Sequence, residues 1–297
     1  MNGRVTRVEL RLRSGHPEFA EELLFAQGAD AVRLEDAGDE PLLEPPPGAT
    51  PLWSRTVTCG YFPPDTDIDA VESALRELLP DGAALKIGRR TIVESDWLEN
   101  WKESARPLSF GNGRLWICPS HLTVAAPGAA VVTLDAGLAF GTGSHASTAL
   151  CLEWLATHEL RGRRVLDYGC GSGILAIAAL KLGAASAVCI DIDPQALTAT
   201  RGNADANGVG ARVTCASVEQ SVEQTVDIVL ANILAQPLVG LAPRLSRCVR
   251  PGGDIVLAGL LDRQAEEVRA AYASWFDFAD DASVDGWTRL HGRRRSR

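Results

Sequence analysis

The sequence predicts an α/β chain of two domains: a larger parallel sheet covered by helices on both faces, and a smaller N-terminal α+β domain. Three observations carry this. From Arg164 onward apolar strand-like runs alternate with helical ones, at the spacing that builds a parallel sheet. A glycine turn, Gly169-Cys170-Gly171-Ser172-Gly173, joins the first of those strands directly to a helix. Before residue 90 the order reads β-α-β-β-α-β. At 297 residues and 46% apolar side chains, the chain has material for two hydrophobic cores.

Taken in order, residues 5–12 alternate apolar and charged side chains as a half-buried strand does, and 17–27 carry helical spacing. A short strand is expected at 31–35, a Pro, Gly and acid-rich loop at 38–51, and a strand at 53–61. A helix follows at 67–79, capped by Asp65 or Thr66, and then a strand at 84–87. Two split units sharing one antiparallel sheet are the ferredoxin-like plan, and we place that domain at 1–90 as a recognition module. Residues 91–107 read as a helical linker with Trp97 and Trp101 on one face, packing against apolar surface. The remaining domain spans 108–297 and opens with a hairpin at 108–110 and 115–118. A Gly and hydroxyl-rich loop through Gly143-Ser144-His145-Ala146-Ser147-Thr148 leads into a helix at 149–157, capped by Ser144 or Ser147. Strands at 165–168, 187–192, 212–216, 228–231 and 255–259 alternate with helices at 175–182, 196–206, 238–248 and 263–275. Strands at 276–279 and 288–291 close the sheet antiparallel. The arginine-rich end, Arg293-Arg294-Arg295-Ser296-Arg297, reads as a solvated tail.

The glycine spacing selects the ligand. A dinucleotide fingerprint reads G-x-G-x-x-G, whereas here the third glycine comes one residue early and Asp167 lies two residues before the first. A carboxylate there opposes a pyrophosphate and suits a ligand with positive charge and amine donors; S-adenosylmethionine, with its sulfonium and amino groups, is such a ligand. Glycines let the backbone approach it closely, and we expect Gly169 and Gly171 to do so. Asp191 falls 22 residues after Gly169, at the end of the next strand, where a carboxylate takes both ribose hydroxyls. Asp193 competes for that role, but it precedes Pro194 and suits a helix cap, which favours Asp191. Thr148 is expected to bond the methionine part of the cofactor, and His145 to lie near the substrate as a candidate base.

Val226-Asp227-Ile228-Val229-Leu230-Ala231-Asn232 delivers a polar Asn to the end of a buried strand. Asn232 can accept hydrogen bonds from an amine and aim its lone pair at a methyl group. This matches the logic, though not the prolines and tyrosine, of the N-P-P-Y box of amino-methylating enzymes. A lysine amine is neutral in only about one molecule in 2,500 at pH 7, so positioning and desolvation must carry much of the catalysis.

The net charge of -9 argues against non-specific nucleic-acid binding and for a basic protein partner. No apolar run reaches membrane-spanning length and no signal-peptide core opens the chain, so a cytoplasmic enzyme is expected. Seven scattered cysteines without a C-x-x-C pair fit reduced core thiols, with no metal site among them. Cys170 inside the glycine loop is read as a small residue, not as a nucleophile.

Together Phe140-Gly141-Thr142-Gly143-Ser144-His145, the Gly169 loop, Asp191-Ile192-Asp193-Pro194, Asn232-Ile233-Leu234-Ala235 and Pro251-Gly252-Gly253 resemble the PrmA family. These are methyltransferases of ribosomal large-subunit protein eleven. The likeness spans essentially the whole chain. It implies a Rossmann-like class I S-adenosylmethionine-dependent methyltransferase domain behind a ferredoxin-like domain that holds the substrate. It implies methylation of lysine side chains and the α-amino group of that protein by a monomer, with cofactor contacts at Thr148, Gly169, Asp191 and Asn232. An amino-methyltransferase of another protein or of a nucleic acid is the competing reading. A nucleotide-binding adaptor without activity would have lacked Asn232 or the loop glycines.

Overall fold

The computed structural model describes residues 6–38, 52–80, 86–93, 106–135, 143–218 and 225–296. They belong to two compact units, 1–104 and 105–297. Trp97 and Trp101 of the expected linker, and Phe140-Gly141-Thr142, lie outside the described residues.

The first unit is built from β1 (Thr6–Arg13), α1 (Pro17–Ala26), β2 (Ala31–Asp36), β3 (Thr56–Phe62), α2 (Ile68–Leu78) and β4 (Lys86–Val93). Its sheet runs β2-β3-β1-β4, every neighbouring pair antiparallel, with Leu10 opposite both Gly60 and Arg89. Each helix thus bridges two strands that have one strand between them. The period of two in β1 sends Leu10 and Leu12 into a core with Ala20, Leu24, Phe62, Val71 and Leu75. On the opposite face Glu9 is fully buried, accepting from the Tyr61 hydroxyl at 3.1 Å and meeting Arg90 Nε at 3.0 Å. The cap of α2 is Asp67, whose carboxylate accepts from Ala70 N at 3.1 Å; neither Asp65 nor Thr66 serves. β4 outruns its expected end at 87 because it is an edge strand with mostly exposed side chains, which leaves no apolar alternation to read.

The second unit begins with β5 (Leu108–Phe110), β6 (Leu115–Cys118) and β7 (Ala130–Thr133), the last pairing parallel to β6. Then follow α3 (Ala146–Thr157), β8 (Arg164–Tyr168), α4 (Ile174–Lys181), β9 (Ser186–Asp191), α5 (Pro194–Ala206), β10 (Val213–Ser217), β11 (Val226–Asn232), α6 (Ala235–Cys248), β12 (Val249–Leu261), α7 (Ala265–Tyr272), β13 (Phe276–Phe278), β14 (Ala282–Val284) and β15 (Trp287–Arg294). The large sheet runs β10-β9-β8-β11-β12-β15-β13, with β14 alongside β15. Strands β8 to β12 are parallel, and β13 to β15 close the edge antiparallel. Strand order reverses between β8 and β11, and the carboxyl ends of strands at such a switch point open onto a crevice. In α4 every residue from Ile174 to Leu180 is buried, which is why that helix shows an unbroken apolar run.

The arginine-rich end is not a solvated tail. β15 continues through Arg294, whose guanidinium donates to the carbonyls of Ser246 in the last turn of α6 and of Val249 just after it. Arg293 pairs with Asp254, and Arg295 with Asp277. Helix α3 also starts earlier than expected: His145 is its cap, its ring nitrogen accepting from Ser147 N at 3.3 Å, in place of Ser144 or Ser147.

Candidate active site

Strand β8 ends at Tyr168, and the amides of Gly169 and Cys170 both donate to Ile190 O, at 2.7 and 3.1 Å. The chain therefore turns sharply across the end of β9. Gly169 has φ +76°, and a Cβ there would collide with Cγ2 of Ile233, so both conformation and proximity exclude a side chain. Helix α5 holds the loop from behind. Thr200 Oγ1 donates to Gly171 O at 3.0 Å and Asn203 Nδ2 to Ser172 O at 2.8 Å. The sequence reading did not single out either residue. Their signal was present, because Thr200 and Asn203 continue the inward face set by Ala196 and Leu197, where polar side chains need partners.

Above the loop lies a cavity of 510 Å³ bordered by Thr148, Gly169, Gly171, Asp191 and Asn232, five of the six residues singled out from sequence. That volume falls in the range of small-molecule sites. Asp191 is held at its rim: one carboxylate oxygen accepts from Gly171 N at 2.9 Å and the other from Asp193 N at 3.0 Å. Asp193 is spent as the cap of α5, accepting from Gln195 N at 2.8 Å.

Asp167 also borders the cavity and is 1% exposed. Its Oδ2 accepts from Ala176 N at 3.1 Å, while Oδ1 is buried without a hydrogen-bond partner. Burial pushes this carboxyl up to about 7, and the nearby Asp191 charge pushes in the same direction. A buried lone pair of this kind would be satisfied by a donor, and most strongly by a cationic one.

Asn232 ends β11, and its Nδ2 donates to Thr148 Oγ1 at 3.1 Å. That bond fixes the amide and leaves Oδ1 as an acceptor and the Thr148 hydroxyl proton as a donor. The next residue, Ile233, is seated between two glycines. Below it is Gly169; beside it Gly259 of β12 has φ +82°, and a Cβ there would lie 2.5 Å from Ile233 O. Gly259 went unremarked in the sequence, although a lone glycine in an apolar strand marks a close backbone approach. The apolar side chains of Ile192, Val218, Pro237 and Leu241 also border the cavity. Ile192 is 85% exposed, a large apolar side chain left open at the edge of the cavity. Val218 borders the cavity just beyond Ser217, where the sequence shows no acid.

His145 does not border this cavity. Besides capping α3, its ring meets Trp287 edge-on with centroids 4.6 Å apart. Cys170 is 5% exposed with Sγ 3.4 Å from Thr200 Oγ1, a small packed side chain. The cavity thus offers a carboxylate for an ammonium group, a second for a diol, an apolar wall for a flat ring, and an amide oxygen for an incoming amine.

The profile of the ribosomal protein L11 methyltransferase (PrmA) family matches residues 4–295. Proteins named ribosomal protein L11 methyltransferase are similar along their whole length. That of Marinobacter nauticus is 49% identical over 93% of both chains, and that of Azotobacter vinelandii 51% identical over 97% of this chain and 99% of its own. The crystal structure of the ribosomal protein L11 methylase from Lactobacillus delbrueckii subsp. bulgaricus superposes with a TM-score of 0.58 at 30% identity. It covers 64% of this chain and 100% of that one. Matched from one end to the other in sequence, the chain belongs to the ribosomal protein L11 methyltransferase (PrmA) family.

Proposed function

We propose that the chain transfers methyl groups from S-adenosylmethionine to amines of ribosomal protein L11, lysine side chains and the α-amino group, in the cytoplasm. The observation that carries this reading is the convergence of Asp167, Asp191 and Asn232 on one cavity at the carboxyl ends of β8, β9 and β11. Bound S-adenosylmethionine would supply an electrophilic methyl on a sulfonium.

In this proposal Asp167 receives the cofactor's ammonium, Asp191 its ribose hydroxyls, and Gly169 and Gly171 allow the backbone to come close. Thr148 donates to the methionine end and holds Asn232. Asn232 Oδ1 accepts a hydrogen bond from the substrate amine and thereby aims its lone pair. Desolvation in the cavity lowers the amine pKa and raises its neutral fraction. His145 enters as a positioning residue, because it caps the helix whose first turn carries Thr148. The module at 1–90 is read as the ferredoxin-like part that holds the substrate, joined by the linker at 91–107 to the domain at 108–297.

The test is an intact-mass profile of unmodified large-subunit ribosomal proteins incubated with the chain and S-adenosylmethionine. Successive methylene additions to L11 alone are expected, and peptide mapping then names the amines. Additions to a different protein, or to RNA only, would overturn the substrate assignment while leaving the cofactor site intact.

A further inference from the structure

A second constellation lies in the 105–297 unit, on the other end of α3. His158 follows the last residue of that helix, Asp280 sits in the turn between β13 and β14, and His291 is on β15. One donor atom from each lies within 4.8 Å of the others. Both imidazoles already have one nitrogen engaged by an acceptor. His158 Nδ1 is 2.8 Å from Trp154 O, and His291 Nε2 is 3.2 Å from Asp254 Oδ1. Each engaged nitrogen therefore carries the proton, and the other presents a lone pair. His291 Nδ1 is buried and has no hydrogen-bond partner. Trp154 orients both rings, stacking on His158 at 4.2 Å and meeting the edge of His291 at 5.0 Å.

We infer that His158 Nε2, His291 Nδ1 and a carboxylate oxygen of Asp280 form a site for a divalent transition metal, Zn2+ in the first instance, with water as fourth ligand. Two imidazoles and a carboxylate are a zinc donor set. The backbone carbonyl behind His158 and the carboxylate behind His291 are the partners that ligating histidines use to fix their tautomer.

Tetrahedral zinc with bonds near 2.0 Å sets its ligands about 3.3 Å apart, so the cluster must close by roughly 1.5 Å at most. The Asp280 side chain is 62% exposed and can make that movement. Its neighbour Arg289 stays held meanwhile, because Nη2 donates to Asp280 O at 2.6 Å. The bound ion would tie the end of α3 to β15 and the β13–β14 turn.

The test titrates the full chain with Zn2+ and Co2+ by calorimetry and visible absorption. One equivalent should bind, with a tetrahedral Co2+ spectrum free of thiolate charge transfer and a rise in unfolding temperature. Binding should weaken about tenfold or more in His158→Gln and in Asp280→Asn; the second change is at an exposed turn, and circular dichroism checks its fold. Absence of stoichiometric uptake, equal uptake by both variants, or a thiolate band pointing to the cysteines would each overturn the inference.

Discussion

Replacing Asp167 with Asn separates what the carboxylate does for the fold from what it does for the ligand. The group is 1% exposed, keeps a single hydrogen bond from Ala176 N, and has its carboxyl pushed up to about 7 by burial. The folded chain therefore binds this proton more tightly than the unfolded one. The cost of charging the group is absent below about pH 4, grows as pH rises through the window from 3.8 to about 7, and is complete above it. A displacement of about three pKa units, at 1.36 kcal/mol each, makes that cost about 4 kcal/mol. Asparagine keeps an acceptor for Ala176 without the charge, but brings an amide that needs a partner. In the absence of ligand, Asp167→Asn should thus be more stable than the parent at pH 8 by about 2 to 4 kcal/mol, and nearly equal to it at pH 4. Thermal unfolding checks this, with about 2 °C or more expected per kcal/mol for a unit of this size. The same variant should bind S-adenosylmethionine less tightly, since the ammonium loses its counter-charge. Parallel midpoints for both proteins across this pH range would refute the burial argument. Equal cofactor affinity would show that the carboxylate does not face the ammonium.

Three further changes probe the rest of the cavity. Asp191→Ala should weaken S-adenosylmethionine binding by about 1 to 3 kcal/mol, because ribose hydroxyls are left unpaired; an unchanged dissociation constant in calorimetry would move the ribose elsewhere. Thr148→Val removes the hydroxyl that holds the Asn232 amide, so it should lower kcat as Asn232→Ala does; additive losses in the double variant would show that the two act independently. Gly169→Ala should destabilise the protein by more than the roughly 1 kcal/mol of its positive φ, owing to the Ile233 collision, and Ile233→Ala should recover part of the loss in denaturant unfolding; no recovery would rule out that contact as the cause.

Much of the site was legible because its parts are local in sequence. The Gly169 loop, Asp191 and Asn232 each sit where a strand gives way to a turn, and spacing alone placed them at the same sheet edge. What escaped depends on contacts between distant segments. Thr200 and Asn203 matter only because α5 packs behind the loop, and Gly259 only because Ile233 crosses it. β7 was missed because its partner β6 runs parallel to it, so no turn signal links the two. His145 suggested chemistry by residue type, yet its ring is used at a helix start and against Trp287, a residue 142 positions away. The arginines at the end looked like a polar tail because the carbonyls and acids they serve lie elsewhere in the chain.

The seat of Ile233 between two glycines bears on how this site tolerates variation. On one side it rests where Gly169 has no side chain; on the other its backbone passes where Gly259 has none. Those two absences set the height of Asn232 above the glycine loop through van der Waals contact, a gauge that neither substrate nor cofactor can compress. Such a gauge makes the spacing across the site a property of the scaffold and not of the guest. Positions 169, 233 and 259 should then drift together or not at all, while the exposed apolar wall at Ile192 is at liberty to change.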